Sequence, residues 1–342
     1  MLKVAIIILS YNSLDETTKP CVESVLRASS GLEFKLLVVD NGSTDGTSEY
    51  LKVVERERQN VGIVINGSNL GYAAGNNVGI RTLEAEYYVL LNSDTVVTDR
   101  WLDGLIGFLD THPDAGCAGP VSNSVGNEQM IHVQSSDEAG TIREGLAWAT
   151  KCQGDFFLTS MLGFFCVAIR REVIDKVGFL DEAFGIGTFE DDDYCLRVAQ
   201  HGFHLACIED VFVYHKGSLS FRKARIPKVD EIFHRNQHRY EEKHRVVWRS
   251  HLTPLSFLDL IETYLSMHCN EPDKLVYKIG NKLRILKQLY QTQPCNAFGS
   301  LRQRVARALS WRTRAMASAL TRNLLKLPLI RYMLRAVFAG RE

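Results

Sequence analysis

The chain has 342 residues, 45% hydrophobic and 23% charged, which suits one large globular domain or one domain with an appendage. Its zero net charge conceals a division: residues 1–220 hold 16 Lys/Arg against 31 Asp/Glu, and residues 221–342 hold 24 against 9, so the two parts face different partners. Eight cysteines without a C-x-x-C pair fit a reducing compartment better than a disulfide framework, and no apolar stretch reaches the roughly 20 residues of a membrane-spanning helix.

Met1–Leu9 superficially resembles a signal peptide, but the apolar run is short and no small-residue cleavage site follows, so it reads as a first strand. That strand, the β-branched run Val4–Leu9, ends in Ser10-Tyr11-Asn12. Ser13-x-x-Glu16 has the spacing of a capping box, and Thr17 or Thr18 before Pro20 is a second candidate start for a helix through Val22, Val25 and Leu26. Phe34–Val39 is a second strand; it ends in Asp40-Asn41-Gly42-Ser43-Thr44-Asp45-Gly46-Thr47 and feeds a helix over 48–58. Val61–Ile65 is a third, ending in a polar stretch that holds Asn69-Leu70-Gly71-Tyr72-Ala73-Ala74-Gly75-Asn76-Asn77, with a helix to Leu83.

Tyr87–Leu91 is wholly apolar and reads as a strand covered on both faces. It stops at Asn92-Ser93-Asp94, a trio that packing does not require. One reading is an Asx-turn; the other is that Asp94 holds a divalent cation on a bound diphosphate. Strands alternating with helices predict βαβ units, a parallel sheet and right-handed crossovers. Four strand ends then meet on one edge, bringing Tyr11, Asp40, Asn69 and the Asn92–Asp94 trio to the place where open α/β sheets bind ligands. Tyr11 can stack on a base, and Asp40 can accept a hydrogen bond from a ring N–H. Ordinary turn formation accounts for Gly42, Gly46 and Gly67, less well for Asp40, and least for Tyr11.

Further along, Thr98-Asp99 is the predicted start of a helix over 101–109. Residues 122–155 are polar and irregular apart from a helix near 142–150, as in a binding loop. A strand at 163–169 leads through Arg170-Arg171 into a helix at 172–177. The acidic run Glu190-Asp191-Asp192-Asp193 opens a helix ending at Gly202, where the macrodipole favours negative charge. Capping needs one or two acids and four adjacent ones repel, so at least one serves chemistry or a cation. A strand over 205–214 delivers His215 before Lys216-Gly217, which makes this histidine a candidate metal ligand beside the ordinary reading of a surface or core residue.

The ordered series Leu9-Ser10-Tyr11-Asn12, Val39–Thr47, Asn69–Asn77, Leu91-Asn92-Ser93-Asp94, Phe179–Glu182, Glu190-Asp191 and Tyr214-His215 resembles the family 2 glycosyltransferases over about residues 3–245. The similarity is to the rhamnosyltransferase-like branch of bacterial polysaccharide and O-antigen assembly. The resemblance implies a GT-A fold, Rossmann-like with a mostly parallel central sheet flanked by helices. It also implies a dTDP- or UDP-sugar donor, a saccharide or lipid-linked acceptor, and inversion by single displacement. By position, Tyr11 and Asp40 contact the base and Asn92 reaches the ribose or diphosphate. Ser10, Asn12, Asn69 and Gly71 belong to the nucleotide- and substrate-binding set, as do Asn76, Ser93 and Glu190. Asp94 and His215 coordinate Mg²⁺ or Mn²⁺, and Asp191 is the base. Asn92 stands where many members carry the first aspartate of D-x-D, although this branch commonly has asparagine. Asp192 and Asp193 flank the expected base and compete for the assignment.

The expected organisation is a catalytic domain over 1–245 and a helical, basic region over 246–342. Residues 300–342 contain ten Lys/Arg and one acid, Glu342, with Leu320, Leu324, Leu327, Ile330, Leu334 and Val337 at helical spacing. This reads as an interfacial anchor on the inner face of the plasma membrane of a cytoplasmic enzyme, or as an appendage packed on the catalytic domain. Nucleic acid is not an expected partner, because aromatic residues are thinly interleaved and no recognised module is present. A sugar-phosphate nucleotidyltransferase is the competing enzyme class; it wants a glycine-rich, basic loop after the first strand, which Ser10-Tyr11-Asn12-Ser13 does not provide. A non-catalytic nucleotide-sugar-binding protein on the same fold is opposed by the intact Asp94, Asp191 and His215.

Overall fold

A computed structural model of the protein describes residues 1–28, 31–217, 229–266 and 271–292. The chain divides into two compact units, one of Met1–Val125 with Val133–Arg249, the other of Gly126–His132 with the described residues from Ser250 onward.

The first unit begins with four parallel strands, β1 (Leu2–Ser10), β2 (Phe34–Asp40), β3 (Val61–Ile65) and β4 (Ala85–Asn92), in the order β3-β2-β1-β4. They are joined by helices α1 (Lys19–Arg27), α2 (Thr47–Glu57) and α3 (Tyr72–Thr82). Val4 through Ile8 are fully buried, as β-branched runs covered on both faces should be. The register sets the strand ends level: Ser10 lies opposite Asp40, Asp40 opposite Ile65, and Leu9 opposite Asn92.

After β4 the chain turns at Ser93-Asp94 straight into β5 (Thr95–Val97), with no crossover helix, and the parallel pattern ends there. Next come α4 (Trp101–Thr111), β6 (Ala115–Val121), α5 (Glu138–Lys151), β7 (Phe156–Thr159), β8 (Cys166–Arg170), α6 (Arg171–Val177), α7 (Glu190–Gln200), β9 (His204–His215) and α8 (Val229–His244). The sheet continues β4-β8-β6-β9-β5, with β7 also on β9. β8 runs antiparallel to both β4 and β6, and β9 is parallel to β6 but antiparallel to β5 and β7. The expected parallel sheet is therefore one half of a mixed, curled sheet flanked by helices.

Three helix starts differ from the sequence expectation for local reasons. The capping box at Ser13 does not form: Asn12 and Ser13 take φ of 53° and 61°, a π-helical turn spans Leu14–Thr18, and Asp45 from the loop after β2 accepts the Leu14 N–H at 2.9 Å. Thr98 does not cap α4, because its hydroxyl donates to the Phe212 carbonyl at 2.6 Å, and Arg100 is the cap residue at φ 64°. α5 starts four residues earlier than its apolar spacing suggests, because Asp137 accepts the Gly140 N–H at 2.8 Å.

In the second unit, α9 (Pro254–Ser266) and α10 (Pro272–Thr292) bury Phe257, Ile261 and Tyr264 with Ile279, Leu283 and Leu286. Asn281 pairs with both the N–H and the carbonyl of His132, and the buried Lys282 ammonium donates to the Glu128 and Met130 carbonyls. No helix of the described residues is long and apolar enough to cross a membrane. The basic segment over 300–342 lies outside the described residues.

α3 sits close on β1 because two of its glycines face the strand. A Cβ on Gly75 would come within 2.4 Å of the Leu9 side chain, and one on Gly79 within 2.5 Å of Ile7. Ile7 is fully buried and has nowhere to move. Gly79→Ala is expected to destabilise the fold by about 1–3 kcal/mol, as overpacking does, read as a lower midpoint in equilibrium urea unfolding; an unchanged midpoint would show that the helix has room to shift.

Candidate active site

The level carboxyl ends of β1, β2 and β3 are tied together by their own polar loops. Asn12 donates its N–H to Ser43 Oγ at 2.8 Å and accepts the Thr44 N–H at 2.9 Å, so the loop after β1 is fastened to the loop after β2. Asp40 is fully buried; one oxygen accepts the Ser43 N–H at 3.0 Å and the other accepts the Ser48 hydroxyl. Asn41 is a second hub, donating to Asn69 Oδ1 at 2.8 Å and to the Gly71 carbonyl at 3.3 Å, and accepting from Asn66 and the Leu70 N–H. Asn69 in turn accepts the Gly71 N–H at 2.9 Å. Gly71 takes φ 86° and ψ 178°, a region open essentially to glycine alone, and a Cβ there would stand 2.0 Å from the Gly185 carbonyl oxygen.

Ser10 and Asn76 lie beneath this edge. The Ser10 hydroxyl pairs with that of Thr18 at 2.6 Å, and the Asn76 amide turns back to the Tyr72 carbonyl at 3.0 Å; both residues are buried. Tyr11 and Asn92 are half-buried at the edge itself, and Ser93 is buried between Asn92 and Asp94. Among the described residues the Asn92 side chain makes no hydrogen bond, although its carbonyl accepts from Thr95 Oγ1 at 2.7 Å.

Asp94 meets His215 because β5 pairs with β9: Thr95 is opposite His215, and the Asp94 carbonyl accepts the Lys216 N–H at 2.9 Å. His215 Nε2 stands 3.3 Å from Asp94 Oδ1, an ion-pair distance whose geometry falls short of a hydrogen bond, so this buried carboxylate oxygen is left without a hydrogen-bonding partner. The imidazole is fixed on its other side. Nδ1 lies 2.7 Å from the Ser124 carbonyl, Asn123 clamps the His215 backbone N–H and C=O at 3.0 Å each, and the ring stacks on Phe165 at 5.2 Å. With Nδ1–H donating to Ser124, Nε2 faces Asp94, with a lone pair for a cation in the neutral ring and an N–H in the protonated one. Burial pushes the His215 pKa down, but the Asp94 carboxylate and the Ser124 carbonyl outweigh it, and it ends above the ordinary 6.5. An orphaned buried oxygen beside an oriented imidazole fits a divalent cation. Among the described residues no third His, Cys, Asp or Glu joins them, so a bound substrate and water would complete the coordination.

The acidic run separates into distinct roles. Asp193, fully buried, pairs with Arg197 at 2.8 Å, Lys243 at 2.5 Å and His244 at 2.7 Å, and Asp192 accepts the Trp248 indole N–H at 2.8 Å. These two acids join α7 to α8 and the turn after it. Asp191 is half-buried and accepts the Asp192 N–H at 3.0 Å. Glu190 is only 8% exposed and its Oε2 has no partner. Burial, then the neighbouring Asp191 and Asp192 charges, push its pKa well above 4.5. Tyr72 links this acid pair to the strand edge: its hydroxyl donates to the Phe164 carbonyl at 2.6 Å, and burial, with the charges of Glu190, Asp191 and more weakly Asp94, pushes its pKa far up.

Sequence reasoning did not single out Asn41, Tyr72, Asn123, Ser124 or Phe165. The first two stand inside segments whose polarity was noted. Asn123 and Ser124 sit in the irregular 122–155 stretch, Phe165 is one apolar residue of the predicted 163–169 strand, and the position of His215 is what gives all three a role.

The mixed, curled sheet flanked by helices is the GT-A fold. Two solved structures share the fold: GalNAc-T7 with UDP, GalNAc and Mn²⁺ (TM-score 0.55, 14% identity, 92% of this chain and 58% of that one), and TarS residues 1–349 of S. aureus with UDP-GlcNAc (TM-score 0.52, 15% identity, 98% and 92%). Residues 5–178 match the profile of glycosyl transferase family 2, and the chain belongs to that family. Relatives include the protein y4gI of Sinorhizobium fredii, 25% identical over 72% of this chain, and the O-antigen biosynthesis protein RfbC of Myxococcus xanthus, 25% identical over 66%. The matched part spans 28% of the first relative and 18% of the second.

The raised Glu190 pKa makes a signed prediction. The folded state binds this proton more tightly than the unfolded chain, so stability falls as pH rises from 4.5 through the folded value. Glu190→Gln lacks that penalty. Its melting temperature should exceed that of the wild type by several degrees at pH 8 and by much less at pH 5. An advantage that does not depend on pH would show that Glu190 is ionised in the fold.

Proposed function

We propose that this chain transfers a sugar, with inversion, from a nucleoside diphosphate sugar to a hydroxyl of a saccharide or lipid-linked acceptor in cell-surface polysaccharide assembly. A dTDP-rhamnose or UDP-sugar donor is the first to test. The observation that carries the reading is the Asp94–His215 pair, with an unpartnered buried carboxylate oxygen, at the carboxyl edge of β4. Family membership, nucleotide-sugar complexes among the structural neighbours and an O-antigen biosynthesis protein among the relatives support it.

Tyr11 and Asp40 lie on the side of the base, with Asn12, Asn69 and Gly71 shaping the loops around it, and Asn92 and Ser93 next to the diphosphate. Asp94 and His215 hold Mg²⁺ or Mn²⁺, which when bound offsets the charge gathering on the departing diphosphate by several kcal/mol. Asp191 takes the proton of the acceptor hydroxyl as its oxygen bonds to the anomeric carbon. The bond from that carbon to the diphosphate oxygen breaks, and the nucleoside diphosphate leaves with the electron pair. Asp191 holds the position that the resemblance gives the base, while Asp192 and Asp193 bind residues of α8 and its following turn. Glu190, whose pKa burial and the neighbouring acids push up, takes on negative charge beside the base less readily than an exposed carboxylate would. The acceptor side and the basic 300–342 segment are assigned to a cytoplasmic membrane face.

Asp191→Asn keeps size and loses basicity. It is expected to lower transfer by about 10²–10⁴-fold, the range for general-base catalysis, while donor affinity by calorimetry stays within about twofold of wild type. Native turnover in that variant would remove Asp191 from the reaction.

A further inference from the structure

The backbone ahead of the acid pair is strained. Gly185, Gly187, Thr188 and Phe189 all have positive φ, at 69°, 152°, 77° and 71°. For glycine this is ordinary, but for a β-branched threonine it is an outlier that persists only where the surroundings enforce it. One side chain does the enforcing. Asn236, fully buried on α8, directs its amide NH₂ at the carbonyls of Phe184 (2.8 Å), Gly187 (2.9 Å) and Thr188 (3.2 Å) and at the Thr188 hydroxyl (3.2 Å). Its Oδ1 accepts from Arg235 Nε at 3.3 Å, which fixes the amide the right way round.

The held loop connects both halves of the site. On one side the Ile186 carbonyl accepts the Tyr72 N–H at 3.2 Å, and Gly185 lies against Gly71. On the other, Phe189 caps α7 directly before Glu190 and Asp191, its ring packed 5.1 Å from Phe233 and from Trp248.

The geometry points to Asn236 as a positioning residue that holds residues 184–188 in the left-handed path aiming Glu190 and Asp191 at the strand edge. It touches no substrate and acts through the backbone ahead of the base. Its effect on turnover rests on the sugar-transfer reading, whereas its effect on the loop does not, and the test separates the two.

In Asn236→Ala, amide hydrogen exchange over 184–193 is expected to accelerate about tenfold or more while β1 and β4 keep their protection, as in local opening. Turnover of whichever nucleotide sugar the wild type uses should fall about 10²-fold, as misplaced catalytic groups do. Mn²⁺-dependent UDP affinity should stay within about twofold, because only local positioning changes. Adding Thr188→Gly, which makes the left-handed conformation cheap, is expected to restore part of both the protection and the rate. Unchanged exchange over 184–193 would overturn the proposal. So would exchange raised equally in β1 and β4, which marks a global structural role, or normal turnover despite a loosened loop. If the single variant is recovered only as aggregate, the Asn236→Ala/Thr188→Gly double variant is expected to fold; its failure to do so would assign Asn236 to general stability. A wild type that binds neither UDP, GDP nor dTDP would defeat the donor reading, and the exchange measurement would still decide the role of Asn236.

Discussion

The pairing of β5 with β9 is the interaction on which the site depends. Without it Asp94 is a carboxylate at a turn and His215 a histidine at a strand end, far apart in sequence. The ladder that sets Thr95 opposite His215 brings them together, and the hydroxyl of Thr98 seals the same strand to Phe212. Burying a carboxylate with an unsatisfied oxygen is costly, of the order of 1–3 kcal/mol or more for a charged group. The fold maintains it by clamping His215 from three directions, through Asn123, Ser124 and Phe165. In the reading proposed above, this rigid setting, supplied by the sheet, is what a cation would meet.

The second constraint is separation of charge within the acidic run. Four adjacent carboxylates at one helix start would repel strongly if all were ionised and free to compete for the same role. The fold distributes them. Asp193 is neutralised by Arg197, Lys243 and His244, Asp192 is bound to Trp248, and Glu190 is driven toward its neutral form by burial. Acids of the same chemistry thus stand in different surroundings, set by what each side chain meets. The partners of Asp192 and Asp193 come mainly from residues 243–248, so the end of α8 and the turn after it help to shape the acidic run.

The first half of the fold was legible because its signals are local. The runs Val4–Leu9, Phe34–Val39 and Tyr87–Leu91 announce buried strands, and their polar ends announce the edge where the site sits. Asp94 and His215 were both visible as oddities at strand ends. Their contact follows from a three-residue strand that no periodicity reveals. The mixed topology after β4 was hidden for the same reason: strand direction in β8 and β9 depends on partners far away in sequence. Ser13 and Thr98 misled because a capping residue is recognised locally, whereas Asp45 and the Phe212 carbonyl compete from other segments. The different surroundings of Asp192 and Asp193 were likewise hidden in the sequence, because their partners Lys243, His244 and Trp248 lie some fifty residues further on.

In the proposed reading, Asp94 and His215, brought together by β5–β9 pairing, form a cation site completed by a diphosphate. Electron paramagnetic resonance titration of Mn²⁺ in the presence of UDP tests it directly. The account requires one UDP-dependent Mn²⁺ site in the wild type, and loss of that site in both Asp94→Ala and His215→Ala with the fold intact. Retention of Mn²⁺ by either folded variant at wild-type affinity would contradict it.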